Sequence, residues 1–326
     1  MSLSSVSHEI TNIPHLLNPV EKLTLGFRAK TWQNSKKFLI ISSLGLGLLL
    51  SYGCSQNSAS QQNEDFTNNS LEGTYAMVDL GQGGQATVVG TTLATFDGQG
   101  KFEGRTIQSF PGQDVGSPRR MNQATFSGQY QVEGNGNGTG MIATNLPDGS
   151  TNNNNLNFVI TKAQRVNQEL QAEEFYLIPE QLVPAGNLMT VMGKRLPDGV
   201  QFSNASLKGN YGYRIVGQDG QIPQSGEGVL TCDGQGNCTG KININQPATS
   251  GQGRAVVATD VVRPYTINGD GTGTATPANE SAMLLLITKA DVVNNNAVAQ
   301  EVFFIVQDVD TTTQNLVTGW MTKLPD

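Results

Sequence analysis

The chain reads as all-β, two tandem eight-stranded antiparallel up-and-down barrels, and three observations carry that reading. One unit of about 120–130 residues occurs twice with its parts in the same order. Within each unit, apolar and polar residues alternate in short runs, and clusters of Gly, Asn and Asp separate the runs. No stretch after residue 54 has a convincing helical period. AQRVNQELQAEE comes nearest, but its counterpart ADVVNNNAVAQE has an Asn-rich middle that suits a hairpin loop.

The repeat sets LEGTYAM at Leu71 on LKGNYGY at Leu207, and TFDGQGKFEG on TCDGQGNCTG at the same offset. Further on, GQYQVEGNGNGTG pairs with RPYTINGDGTGT, FVITKAQRV with LLITKADVV, EEFYLI with EVFFIV, and NLMTVMGKRLPD with NLVTGWMTKLPD. The expected layout is a signal segment at 1–54, a flexible polar tether at 55–70, the first barrel at 71–198, a short linker at 199–206 and the second barrel at 207–326.

In the first unit the pattern predicts strands over 71–80, 86–96, 101–110, 123–132, 138–145, 157–165, 173–178 and 187–196. The DGQG and GNGNG turns supply the positive-φ positions that tight hairpins need. The repeated LPD at Leu196 and Leu324 ends the last strand, since proline cannot donate to a ladder. Sequential strands joined mostly by hairpins suit closed barrels, because closure removes exposed sheet edges; β-sandwiches are the alternative. A barrel of this size holds packed side chains or one small ligand.

One hairpin differs between the copies. Phe96 and Phe102 flank DGQGK in the first, Cys232 and Cys238 flank DGQGN in the second. Residues on either side of such a turn face each other across the hairpin, so the phenylalanines predict an aromatic clamp of about 0.5–1.5 kcal/mol beyond burial. The cysteines predict a disulfide, which so short a loop limits to about 2–3 kcal/mol.

An oxidising compartment agrees with the N-terminal segment. Arg28, Lys30, Lys36 and Lys37 precede the apolar run FLIISSLGLGLLL, and SYGC follows, ending at Cys54. The run is short for a bilayer span and fits a signal-peptide core. With Gly53 before Cys54, the segment resembles a bacterial lipoprotein signal, which implies lipidation of Cys54. Ser55 does not resemble an inner-membrane retention signal, so the outer membrane is the expected destination. Secretion without a lipid and an uncleaved anchor are the alternatives. A lipid on Cys54 leaves Cys232 and Cys238 as an even pair, with no histidine or second cysteine pair nearby to suggest zinc. After residue 54 there remain 15 basic and 25 acidic residues, about −10 in net charge, which argues against nucleic acid or bare anionic membrane as a partner.

Gly73-Thr74-Tyr75 and Gly209-Asn210-Tyr211 on the first strands, an eight-strand meander, and Arg195 and Lys323 on the last strands together resemble the lipocalin-like (calycin) barrels. More loosely they resemble the allene-oxide-cyclase-like barrels. The resemblance implies that each basic side chain packs over its tyrosine and that the barrel binds a small apolar molecule. The alternative is a packed barrel in which the two side chains form an ordinary cation–π pair.

Leu156, Phe158 and Ile160 share one alternating face, and Lys162 falls on the same side near the strand end, with Lys289 as its counterpart. Such a lysine binds an anionic headgroup at a barrel mouth or snorkels to water. Both histidines, His8 and His15, precede Cys54, so the barrels lack histidine-based nucleophile systems and histidine metal sites. Asp97 and Asp233 recur at matching turns and read as turn formers, and NGDGTG lacks the ligand pattern of a calcium loop. The expectation is a noncatalytic, lipid-anchored envelope protein that binds a small apolar ligand or another envelope component, without a cofactor or metal. An allene-oxide-cyclase-like enzyme is one alternative and needs a polar residue deep in its pocket, which the sequence does not mark. A structural or adhesive envelope protein is the other.

Overall fold

The computed structural model describes residues 65–83, 86–110, 119–180, 188–219, 222–248, 253–276, 281–306 and 316–325. Cys54, the signal segment and tether residues 55–64 lie outside them. Eight strands follow in the first repeat: β1 (Gly73–Gly83), β2 (Ala86–Phe96), β3 (Lys101–Phe110), β4 (Arg120–Val132), β5 (Asn137–Asn145), β6 (Thr151–Val166), β7 (Glu169–Pro179) and β8 (Leu188–Arg195). The second repeat supplies β9 (Lys208–Asp219), β10 (Ile222–Asp233), β11 (Asn237–Pro247), β12 (Arg254–Ile267), β13 (Thr272–Ala275), β14 (Met283–Val293), β15 (Asn296–Val306) and β16 (Leu316–Lys323). Each set pairs antiparallel in sequence order, and β8 closes on β1 as β16 closes on β9. That closure excludes the sandwich alternative, whose sheets would leave free edges.

β6 and β7 are longer than their apolar patterns suggest. The Asn-rich start of β6 pairs with β5, as in Thr144↔Asn152 and Asn145↔Thr151, so tertiary pairing overrides weak strand propensity there. At the other end Asn167 and Gln168 turn the chain at φ 50° and 73°, matched by Asn294 and Asn295 at 50° and 62°, the geometry of a two-residue hairpin.

The inward faces make one core per barrel. In the first barrel Tyr75, Phe96, Phe102, Phe126, Tyr130, Phe158 and Phe175 pack together. Room for the rings comes from glycine on the neighbouring strand. A Cβ on Gly138 would lie 2.1 Å from the Phe158 ring, and one on Gly128 would lie 2.3 Å from Phe102. Phe96 and Phe102 stack at 5.3 Å across their hairpin, while Cys232 and Cys238, paired in the same register, form a disulfide. The second barrel thereby loses two rings, and Arg263, 9% exposed, stands on the inward side beside Cys238 where the first barrel has Gly128 beside Phe102. A longer side chain at this position compensates for the smaller ones opposite it.

The expected boundaries need one correction. Residues 65–70 are not tether but part of the first barrel: the Phe66 amide donates to the Gly134 carbonyl, and Phe66 packs against the aromatic core. A 3₁₀ turn follows at Asn68–Leu71. Asn68 Oδ1 accepts from the Val132 amide, and Tyr130 Oη donates to the Asn68 carbonyl. The supposed linker repeats the device: Phe202 bonds Gly269, and Asn204, at the head of the turn Asn204–Ser206, accepts from the Ile267 amide and from Tyr265 Oη. Each repeat therefore begins at F-[ST]-N-x-S-L, a plug under the barrel floor, five residues earlier than the pattern of strands suggests.

Both barrels belong to one compact unit. Their contact joins unlike faces. Val78 and Val89, on the outer side of β1 and β2, cluster with Phe303, Ile305 and Leu316 from the outer side of β15 and β16, with Trp320 against them. Lys194 crosses the seam to Glu301 at 2.6 Å and lies 5.8 Å from the Trp320 ring. The first barrel's equivalents of Phe303, Ile305 and Leu316 are Tyr176, Ile178 and Leu188, which are 40%, 49% and 66% exposed, so the packing is heterologous rather than two-fold.

Candidate functional site

Strand alternation that puts Tyr75 and Met77 inside the first barrel puts Asp79 there as well, two residues further along β1. Asp79 is 2% exposed. Directly across the ladder are Gly90 on β2 and then Gln108 on β3, and a Cβ on Gly90 would lie 2.6 Å from Asp79 Oδ2. A glycine at 90 is thus what leaves space for the carboxyl.

Three neutral side chains hold it. Gln108 Nε2 donates to Oδ2 at 2.7 Å, and the hydroxyls of Thr92 and Thr106 reach Oδ2 at 3.1 and 3.3 Å. Those hydroxyls are also 2.8 Å apart, so one of their two protons is committed between them. Oδ1 receives only a 3.3 Å contact from Thr92. No Lys or Arg pairs with Asp79 among the described residues. Burial pushes its pKa above the ordinary carboxylate value, against the lowering effect of the hydrogen bonds from Gln108, Thr92 and Thr106.

The second barrel carries none of this. In its ladders Ile215, Gly226 and Ile244 occupy the row of Asp79, Gly90 and Gln108, and Gly228 and Ile242 occupy that of Thr92 and Thr106. Ile215 and Ile242 are buried in an apolar core. At this level the duplicated interior thus has two forms, apolar in the second barrel and polar in the first.

Among the described residues the polar end of the first barrel is also the less buried one. Its inward side chains Gln108, Ile142, Thr144, Asn154 and Met189 are half-buried, whereas Tyr75, Phe96 and Phe175 at the other end are buried. Asn154 faces Asp79 across the lumen. The ladders carry Asp79 one way round through Val191 and Leu177 to Phe158 on β6, and the other way through Gly90 and Gln108 to Asn122, level with the turn before β6. Asn154 lies between those limits, and its Oδ1 is buried without a hydrogen-bond donor.

The sign of the carboxyl's contribution to stability follows. A group whose folded pKa lies above its unfolded one contributes stability below the unfolded value and loses it as pH rises through the folded value. Stability of the native chain is therefore expected to fall, relative to an Asp79→Asn variant, as pH rises from the ordinary aspartate value. Urea unfolding of both proteins across that range measures it, and parallel curves would contradict the assignment.

The residues anticipated from sequence fall elsewhere. Tyr75 and Arg195 are register partners at the closed end of the first barrel, as Tyr211 and Lys323 are in the second. Tyr75 Oη donates to the Ala172 carbonyl and Tyr211 Oη to Ala299, both at 2.9 Å. Lys323 lies 5.8 Å over the Tyr211 ring, a cation–π contact. Arg195 packs against Gly73 and pairs with Asp198 at 2.7 Å. Phe158 belongs to the aromatic core.

Lys162 does not lie on the inward face with Phe158 and Ile160. A bulge at Ile160, Lys162 and Ala163 breaks the alternation, sending Lys162 outward to Glu173 at 2.6 Å and turning Ala163 in. Lys162 and Arg195 do share a surface cleft of about 400 Å³, but Glu173 and Asp198 already pair with them. Asp97 and Asp233 are turn formers: Asp97 Oδ1 accepts from the amides of Gln99 and Lys101, and Asp233 Oδ1 from those of Gln235, Gly236 and Asn237. These bonds hold both carboxyls below their ordinary pKa. Among the described residues no three His, Cys, Asp or Glu side chains gather as a metal site. No protein-family model matches the chain, and no curated protein matches its sequence.

Proposed function

We propose that this is a noncatalytic, lipid-anchored protein of the bacterial envelope whose first barrel binds a small, largely apolar ligand and whose second barrel is a structural partner to it. The observation that carries the reading is the inward-facing cluster of buried Asp79, Thr92 and Thr106 with half-buried Gln108 in one barrel and its replacement by Ile215, Ile242 and Ile244 in the other. An apolar interior of the second kind is the cheaper way to fill a barrel, since a buried polar group costs free energy unless fully bonded. A few convergent polar groups in an otherwise apolar concavity are the usual composition of a ligand site. Cys54, Gly53 and the preceding apolar run support the anchor, and the Cys232–Cys238 disulfide is in keeping with an exported chain.

A catalytic use of the same place is the second reading. Asp79 is an interior carboxyl that an allene-oxide-cyclase-like activity could use, and a raised pKa suits a general acid or base. Native mass spectrometry of the protein isolated from envelope fractions tests both. A retained, unmodified small molecule supports binding, a retained molecule converted on incubation supports catalysis, and a bare chain under gentle conditions speaks against both.

A further inference from the structure

The ligand's chemical class can be read from what the first barrel lacks. Two under-bonded oxygen acceptors belong to inward positions on opposite walls at one level of the ladder, Asp79 Oδ1 with a single 3.3 Å contact and Asn154 Oδ1 buried with none. The side chains that hold Asp79 are neutral, and apart from the long Thr92 contact to Oδ1 and a Gln108 N–H toward Met189 Sδ their donor protons go to Oδ2 or to each other. A buried carboxyl is costly as an anion without a cation, and a buried amide oxygen is costly without a donor. Half-buried apolar side chains, Ile142 and Met189, stand beside the cluster and pack on the aromatic core below it.

We infer that the first barrel takes a small organic amine, bound as its ammonium ion, with an apolar body. This rests on the ligand-binding reading above. The ammonium supplies the missing charge to Asp79 Oδ1 and a second N–H to Asn154 Oδ1, while the apolar body lies on Ile142 and Met189. Hydroxyl-headed molecules offer one proton and no charge, and carboxylates bring a second negative charge and no donor, so neither satisfies both oxygens. The second barrel, with Ile215 and Ile244 at the equivalent place, has no use for such a headgroup.

Titration calorimetry of the full chain with n-octylamine, 1-octanol and octanoate, which share one tail, separates the possibilities. The expected result is one octylamine bound per chain, about tenfold or more tighter than 1-octanol, in line with the strength of charge-assisted hydrogen bonds. Asp79→Asn should bring octylamine down to the level of 1-octanol. Asn154→Leu, at a half-buried position, should weaken octylamine several-fold without weakening 1-octanol, and serves if the Asp79 variant folds poorly. Equal binding of amine and alcohol, or an octylamine affinity indifferent to both substitutions, overturns the amine assignment and leaves ligand binding standing. Failure of all three probes to bind counts against both.

Discussion

Replacing Tyr75 by alanine should cost about 3–5 kcal/mol, the range for deleting a large aromatic side chain from a packed core. Tyr75 is 0% exposed and sits edge-on to Phe96 at 5.4 Å and to Phe175 at 5.2 Å. Its loss removes those contacts, opens a cavity in an interior fitted ring by ring, and strands the Ala172 carbonyl. Tyr75→Phe removes only the hydroxyl and should cost about 1–2 kcal/mol, because the buried carbonyl still loses its partner. Against a domain stability of about 5–15 kcal/mol, the first change is a large fraction and the second is not. Midpoints of urea unfolding for the two variants measure the difference, and equal shifts would mean that ring packing is not what the tyrosine supplies.

Phe303→Ala should cost a similar amount, about 3–5 kcal/mol, but through the seam between barrels rather than inside one. Phe303 points out of its own barrel, yet it is 1% exposed, 4.8 Å from Trp320, and clustered with Val78 and Val89 of the other barrel. Its counterpart Tyr176, at 40% exposed, is the natural control: Tyr176→Ala should fall within about 1 kcal/mol of the parent, as surface substitutions do. Since the seam couples two domains with separate cores, weakening it should split one unfolding transition into two. Trp320 is the sole tryptophan after residue 54 and lies in that seam, so its fluorescence should report the earlier event. A single undivided transition in Phe303→Ala would contradict the coupling.

Much of the fold was legible because the duplication doubled every signal. A hairpin with rings in one copy and thiols in the other fixes a register, and the Asn-rich turn at 294–295 settles the ambiguous segment around Gln168. The repeat start was missed for the opposite reason: Phe66 and Phe202 stand in polar stretches that resemble linkers, and their role as plugs depends on long-range bonds to Gly134 and Gly269. Lys162 was misplaced because period two holds only until a bulge, and the residues around 160–163 carry no glycine to mark one.

The site lies where the two copies differ, not in the motifs they share. Asp79 stands in a strand whose inward face is otherwise apolar, and Ile215 stands at its counterpart; Thr106 and Gln108 differ from Ile242 and Ile244 in the same sense. Polar-for-apolar mismatches along the inward positions of a duplicated barrel are the signal that the sequence carries. Only the register, which sets 79, 90 and 108 in one row, shows that these differences meet.

The most direct test transplants the second barrel's interior into the first. A chain carrying Asp79→Ile, Thr92→Gly, Thr106→Ile and Gln108→Ile should unfold at higher denaturant than the native protein and, isolated from the same envelope fraction, carry no small molecule in native mass spectrometry. A variant that is less stable and still holds the native protein's molecule would show that the polar interior supports the fold rather than a ligand.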